Sequence, residues 1–282
     1  MKAEYKPYVE ELIELAVKED IGDGDHTSLC CIPSEERGRM RLLCKQEGII
    51  AGIEVAKMVT ERLDSEVKFE QILNDGDRVK VGDVAFYVEG NLQSLLRAER
   101  ILLNIMQRMS GIATMTARYV KKVEGTGTRV LDTRKTTPGM RILEKMAVKI
   151  GGGCNHRIGL FDMILLKDNH VDFAGGIHNA VTRAKEYCKA KGKNLKIELE
   201  VRNFDELQQA LDEGVDRIMF DNFTPEDTRK AVEIVAGRCE TESSGGITYE
   251  TMLPYAQAGV DFISFGALTH SVKGLDMSFK AC

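Results

Sequence analysis

The apolar positions of this chain change rhythm near its middle. Between Tyr8 and Val17, residues Val9, Leu12, Ile13, Leu15 and Ala16 fall at helical spacing, and the turn-rich run Ile21-Gly22-Asp23-Gly24-Asp25-His26-Thr27-Ser28 ends the pattern. Alternation from Arg39 to Leu43 and from Asp77 to Val88, punctuated by Gly-Asp turns, predicts short antiparallel strands, with a helix over Ile53 to Leu63 between them. Leu92 to Met109 predicts a strong helix. One side is apolar, and on the other Arg97, Arg100, Asn104 and Arg108 recur at spacings of three and four, a basic face.

Beyond this helix, short β-rich runs end near Asp132, Lys167, Glu200, Asp221, Ser244 and Gly266, at intervals of 35, 33, 21, 23 and 22 residues, with amphipathic helical stretches between most of them. That is the beat of successive βα units. Gly214-Val215-Asp216-Arg217-Ile218-Met219-Phe220-Asp221 recurs as Gly259-Val260-Asp261-Phe262-Ile263-Ser264-Phe265-Gly266 at an offset of 45, equal to two such units. Thr137-Pro138 and Thr224-Pro225 each place an N-cap residue before Pro at the first helical position, predicting two helix starts. Six parallel strands fit either a doubly wound sheet or a barrel. A polar residue at the C-terminal end of every strand is what a barrel active site requires.

Composition narrows the class. The chain has 282 residues, 39 Lys plus Arg against 44 Asp plus Glu, a net charge of −5 and 43% hydrophobic residues, which excludes a disordered or collagenous chain and gives no surface for nucleic acid or membrane. The N-terminus lacks the apolar region of a secretory signal, and no window approaches the roughly 20 apolar residues that span a bilayer. Seven Cys form an odd set with no C-x-x-C pair, which suits a reducing compartment. A cytoplasmic protein is expected.

The chemistry gathers at the strand ends. Arg134 and Lys135 follow the first run, His156 and Arg157 follow a Gly-rich turn, and Lys167 ends the second. So many cations at equivalent positions need anionic company, which points to a ligand with several carboxylates or phosphates. Any one of them alone is also accounted for by solvated surface charge. Glu198 and Glu200 share one face of their strand, where a buried Glu-Lys pair is the structural alternative to a catalytic role. Glu200 and Asp221 are placed to share a magnesium ion with substrate oxygens. Ser244-Gly245-Gly246 precedes a helix expected near Thr248, and Gly266 repeats the theme, so both are candidate phosphate-binding turns. No P-loop, no G-x-G-x-x-G and no H-E-x-x-H occurs.

Together, Asp132-Thr133-Arg134-Lys135-Thr136-Thr137-Pro138-Gly139, Asn155-His156-Arg157-Ile158-Gly159-Leu160, Lys167-Asp168-Asn169-His170, Glu198-Leu199-Glu200-Val201, Asp221-Asn222-Phe223 and Glu242-Ser243-Ser244-Gly245-Gly246-Ile247 closely resemble the quinolinate phosphoribosyltransferases, and the likeness also covers Arg97 to Arg100, Ser110 to Thr114 and Glu19 to Asp25. The resemblance implies an α/β protein with an N-terminal open α/β sandwich, residues 1–112 with residues 270–282 returning to it, and a catalytic incomplete (β/α) barrel, residues 113–269. It implies transfer of phosphoribosyl from phosphoribosyl pyrophosphate (PRPP) to quinolinate with decarboxylation, giving nicotinate mononucleotide, pyrophosphate and CO2, with Mg2+ as the only cofactor. It further implies a homodimer, sometimes assembled further into hexamers, in which Arg100 serves the partner subunit's site. Residue by residue, Arg134, His156, Arg157 and Lys167 would grip the two carboxylates, and Lys135 would lie between that site and the pyrophosphate. Glu200 and Asp221 would face the ribose and the metal, while Ser244, Gly245, Gly246 and Gly266 would hold the 5-phosphate. Lys135, Lys167, Glu200 and Asp221 would be the catalytic set. Three rivals stand beside this: an enzyme joining nicotinate to the same donor, a molybdenum-transport-associated paralogue, and a non-catalytic phosphate-binding barrel.

Overall fold

A computed structural model describes residues 1–282. Helix α1 (Lys6–Ile21) has Pro7 in its first turn, where the missing N–H leaves no bond unmade. Asp25 caps α2 (His26–Cys31), accepting the Ser28 N–H at 3.1 Å and its hydroxyl, so the acid-rich loop is a turn and cap. There follow β1 (Arg37–Cys44), β2 (Gly48–Ile49), α3 (Ile53–Leu63), β3 (Lys68–Gln71), β4 (Arg78–Val79), β5 (Val84–Asn91), α4 (Leu92–Lys122) and β6 (Arg129–Leu131). Next come α5 (Arg141–Ile150), β7 (Ile164–Leu166), α6 (Asp168–Ala174), α7 (Ile177–Lys191), β8 (Ile197–Val201), α8 (Phe204–Glu213), β9 (Arg217–Asp221) and α9 (Pro225–Val235). The chain closes with β10 (Glu240–Ser244), α10 (Met252–Gln257), β11 (Phe262–Ser264), α11 (Ala267–His270) and β12 (Met277–Ala281).

These elements form two compact units, one of Met1–Ala117, Thr136–Gly152 and Ala267–Cys282, the other of Arg118–Lys135 and Gly153–Gly266. The boundary expected at 112/113 lies inside α4, whose apolar stripe continues through Ile112 and Ala113 to Tyr119. Residues 136–152, expected in the second domain, group with the first, and polar contacts show why. Arg108 of α4 donates to Glu144 of α5 from Nε at 3.0 Å and from a terminal nitrogen at 2.7 Å, and Glu144 accepts the Thr137 N–H at 3.1 Å. The same bonds displace the helix start expected at Thr137-Pro138. Residues 137–140 make a turn through Gly139 (φ 80°), and α5 begins only at Arg141. Thr224-Pro225 behaves as expected: Thr224 accepts the Asp227 N–H at 3.1 Å and Pro225 opens α9.

In the first unit, an antiparallel sheet runs β12-β1-β5-β3. Alternation buries Met40, Leu42 and Cys44 of β1, which share a face with Phe86 and Val88 of β5 and Met277 and Phe279 of β12. Ile53, Val55, Ala56 and Val59 of α3 are buried in the same unit, with Leu95, Leu102 and Met106 of α4.

In the second unit, six parallel strands run β6-β11-β10-β9-β8-β7. The first strand therefore pairs with the last, no ladder joins β6 to β7, and a single bridge, Leu131↔Cys154, ties β6 to the segment that leads to β7. This is the incomplete α/β barrel. Arg217 stands opposite both Glu198 and Glu240, and Ser244 opposite Asp221, so parity puts Glu198, Glu200, Arg217, Asp221, Glu242 and Ser244 on one face. The other face carries Leu199, Ile218, Phe220 and Ile263, all fully buried. Phe265 lies on that apolar side, edge-on to Tyr119 at 4.9 Å.

Candidate active site

The C-terminal ends of the six strands carry the expected groups. Arg134 and Lys135 follow β6, His156 and Arg157 sit in the segment leading to β7, and Lys167, Glu200, Asp221, Ser244 and Gly266 end or follow β7 to β11. All belong to the second unit, together with Gly245 and Gly246. Arg100 belongs to the first, exposed on α4 with Glu99 at 3.5 Å. Its neighbours on the expected basic face are committed internally. Arg97 bonds Gln93 and Ser94, and Arg108 bonds Glu144.

Arg157 is half-buried and donates to the Met163 carbonyl at 3.4 Å. Burial, and after it the neighbouring Arg134, lower its pKa, while Glu198 and Asp162 oppose them. Two guanidinium groups close enough to repel, one of them partly desolvated, make a place for an anion. Lys167 Nζ lies 3.4 Å from Glu200 Oε2. Burial raises the Glu200 pKa, Lys167 lowers it and the Asp221 charge raises it again. Two hard carboxylates that repel across adjacent strand ends are a fitting pair for Mg2+.

The glycine turn after β10 has a specific shape. Gly245 (φ 95°) and Gly246 (φ 61°) both adopt left-handed backbone. A Cβ on Gly245 would stand 2.3 Å from Asn222 Oδ1 and 2.8 Å from its backbone nitrogen, whereas one on Gly246 would meet open space. Asn222 is itself left-handed (φ 56°), and its N–H donates to the Ser244 carbonyl at 3.0 Å. The helix expected near Thr248 begins only at Met252 and is six residues long, because Thr248 to Thr251 close a side-chain turn first. A phosphate held at this turn would therefore meet loop amides, as in an anion-binding nest, and not the dipole of a long helix.

Below this rim lies a buried framework. Asp132, fully buried, accepts the His156 N–H at 2.8 Å and Asn155 Nδ2 at 2.6 Å. His156 Nε2 approaches Glu198 Oε2 to 2.9 Å and Glu242 Oε2 to 3.6 Å, and Arg217 lies 4.0 and 3.4 Å from the same two carboxyls. Both carboxyls are fully buried, and burial pushes both pKa values up. The buried partner of Glu198 is thus a His and an Arg, where the sequence suggested a Lys. The ligand atoms of His156, Glu198 and Glu242 lie within 4.8 Å of one another. The Arg217 guanidinium already supplies their positive charge, so the donor set does not ask for a metal ion. Glu242, Arg217 and Asp132 were not singled out from sequence, although period-2 parity along Glu240-Thr241-Glu242-Ser243-Ser244 carried the signal for Glu242.

Fold and site together define an α/β-barrel enzyme for polyanionic substrates. Residues 112–280 match the quinolinate phosphoribosyl transferase C-terminal domain and residues 25–110 its N-terminal domain. The chain belongs to the quinolinate phosphoribosyltransferase family. Among its relatives, the chloroplastic nicotinate-nucleotide pyrophosphorylase [carboxylating] of Arabidopsis thaliana is 45% identical over 95% of this chain and 81% of its own. The probable nicotinate-nucleotide pyrophosphorylase [carboxylating] of Bacillus subtilis is 43% identical, over 92% and 89%. The solved structure of the nicotinate-nucleotide pyrophosphorylase from Francisella tularensis superposes with a TM-score of 0.92 at 40% identity, over 98% of this chain and 96% of that one. Human nicotinic acid phosphoribosyltransferase, at 13% identity and a TM-score of 0.59, shares the fold alone.

Proposed function

We propose that the protein transfers phosphoribosyl from PRPP to quinolinate and decarboxylates the product to nicotinate mononucleotide. The observation that supports this is half-buried Arg157 under the charge of Arg134, with Lys167, paired with Glu200, at the end of β7 in the same unit. Three cations suit a dicarboxylate, and for nicotinate, with one carboxylate, they would be over-provisioned. Arg134, Arg157 and Lys167 hold the two acceptor carboxylates, joined by Arg100 of a second subunit in a homodimer or a hexamer built from dimers. Lys135 bridges toward the pyrophosphate. Ser244, Gly245, Gly246 and Gly266 cradle the 5-phosphate. Glu200, a carboxylate that a mere binder would have no reason to bury, with the charge of Asp221 acting on it, argues against a non-catalytic barrel.

In the transfer, the pyridine nitrogen lone pair forms a bond to ribose C1 as the C1–O bond to pyrophosphate breaks, and the leaving group takes that electron pair. Glu200 and Asp221 stabilise the positive charge that develops on the ribose. They are also the residues that would hold Mg2+, whose contribution is to neutralise the pyrophosphate. The N-alkylated ring then accepts the electrons released as the 2-carboxylate leaves as CO2, and the vacated ring carbon takes a proton. The chain's own part is positioning and charge.

No helix is long and apolar enough to cross a membrane. We assign the protein to the cytoplasm on its seven free cysteines, which suit a reducing compartment. The deciding experiment supplies purified protein with PRPP and Mg2+, compares quinolinate with nicotinate, and follows mononucleotide and CO2. Equal yields of both from quinolinate, with nicotinate inert, are expected. Turnover of nicotinate alone would reassign the acceptor, and inertness toward both would pass the function to the transport-associated paralogue or to a binder.

A further inference from the structure

Asn222 stands between two parts of the donor site. It follows Asp221 at the end of β9 and is left-handed (φ 56°), a conformation Asn tolerates because its short polar side chain bonds locally. Its N–H donates to the Ser244 carbonyl at 3.0 Å, and its side-chain Nδ2 donates to Asp221 Oδ2 at 2.8 Å. A carboxylate only accepts, so the amide nitrogen faces it and Oδ1 is turned the other way. There Oδ1 fills the space over Gly245, where a Cβ would stand 2.3 Å from it and 2.7 Å from Cγ. One side chain thus lies against the Asp221 carboxyl on one side and a glycine of the phosphate turn on the other. Glu200, the other acid of the donor site, is met instead by the Lys167 ammonium at 3.4 Å. A cation orients a carboxylate and cancels part of its charge, whereas an amide orients it and leaves the charge in place.

From this geometry we propose that Asn222 is a positioning residue for the transfer step: its amide aims the Asp221 carboxylate, and its packing on Gly245 fixes that carboxylate relative to the turn assigned to the 5-phosphate. A donor seated at the turn then finds the acid already directed at its ribose, with the Asp221 side chain held before the substrate arrives. Left-handed backbone at a non-glycine residue is a cost, and here it persists beside a reacting group. The proposal rests on the donor site assigned above for its kinetic readout, while the Asn222–Asp221 contact itself is testable without turnover.

Asn222→Gly keeps the left-handed turn and removes the amide, so stability and positioning come apart. Its thermal midpoint is expected to equal or exceed the parent's, while kcat at saturating PRPP, Mg2+ and quinolinate falls about tenfold with quinolinate KM unchanged. Introduced into Asp221→Ala, where there is no carboxylate to aim, the same substitution is expected to lower kcat by less than about twofold. An equal loss on both backgrounds, or a Gly variant with the parent's kcat, would overturn the proposal, because a general loosening of the turn acts whether or not Asp221 is present. Should Asn222→Gly fail to fold, Asn222→Asp, which keeps the shape and removes the donor, takes its place in the same cycle with the same kinetic expectation. Side-chain amide protons of 15N-asparagine-labelled protein report the contact directly. Those of Asn222, identified by their loss in the variant, are expected to exchange slowly with solvent and to lose that protection in Asp221→Ala. Exchange unaltered by Asp221→Ala would refute the contact. If the parent turns over no quinolinate, the functional assignment fails, and the exchange measurement still decides whether Asn222 holds Asp221.

Discussion

Lys167 and Glu200 meet across the C-terminal ends of β7 and β8, Nζ to Oε2 at 3.4 Å, so a cation assigned to the acceptor and an acid assigned to the donor neutralise each other in one contact. The two half-sites are therefore electrostatically linked. Removing the acid takes away transition-state stabilisation while leaving Lys167 with more positive charge to offer a carboxylate. Glu200→Gln and Asp221→Asn are each expected to lower kcat by about 100-fold or more, the scale of losing one aimed electrostatic group, with quinolinate affinity unchanged or tighter. Quinolinate titration by calorimetry alongside turnover checks this, and a parallel loss of binding and turnover would sink it.

The two glycines after β10 should respond unequally. Gly245→Ala sets a methyl group against Asn222 in a backbone conformation L-residues avoid, so the turn must move and the donor KM should rise more than tenfold. Gly246→Ala meets only the left-handed backbone penalty, about 1 kcal/mol. Its signature is a small drop in the thermal midpoint with donor KM nearly kept. Comparable damage from both would show that the close approach of residue 245 to Asn222 is unimportant.

Stability should carry the mark of Glu242. Burial, then the charge of Glu198, raise its carboxyl from the ordinary 4.5 to about 8. Because the folded value lies above the unfolded one, the native state binds the extra proton. The associated stability is complete below pH 4.5 and is lost as pH rises through 8. Within that window each pH unit costs up to about 1.4 kcal/mol per proton. Denaturant melts from pH 5 to pH 8.5 should show Glu242→Gln falling less steeply than the parent; equal slopes would mean that Glu242 is ionised throughout.

Arg100 tests the assembly. It is exposed on the first unit's helix, apart in sequence from every strand end, and its proposed place is a second subunit's site. Arg100→Ala and Arg134→Ala should each be inactive alone. Mixed dimers should regain activity, since one of their two sites then carries neither lesion. Verified heterodimers without recovery would count against a shared site.

Much of this was legible because period-2 parity and strand-end positions are written directly in residue order. The six strand ends fell where expected, and α3 runs from Ile53 to Leu63 as its spacing predicted. What escaped were partnerships across distant segments. Thr137-Pro138 carries a sound helix-start signal, but the Thr137 N–H is claimed by Glu144, which Arg108 holds in place from 36 residues away. The partner of Glu198 could not be named from β8 alone, because His156 and Arg217 reach it from a preceding loop and the next strand.

The order of the sheets has a bearing on synthesis. In the second unit β6 finds its only ladder partner in β11, and in the first unit β1 receives its outer neighbour from β12. Each sheet is finished by a segment that comes late in chain order. Until then β6 is a strand without a neighbour, the condition in which a nascent chain invites pairing with another copy. Such long-range closure also makes folding slow. Loss of residues 262–282 would thus remove both completing strands in a single stroke, and a chain interrupted just before them should aggregate where one interrupted between the units' local elements would merely unravel.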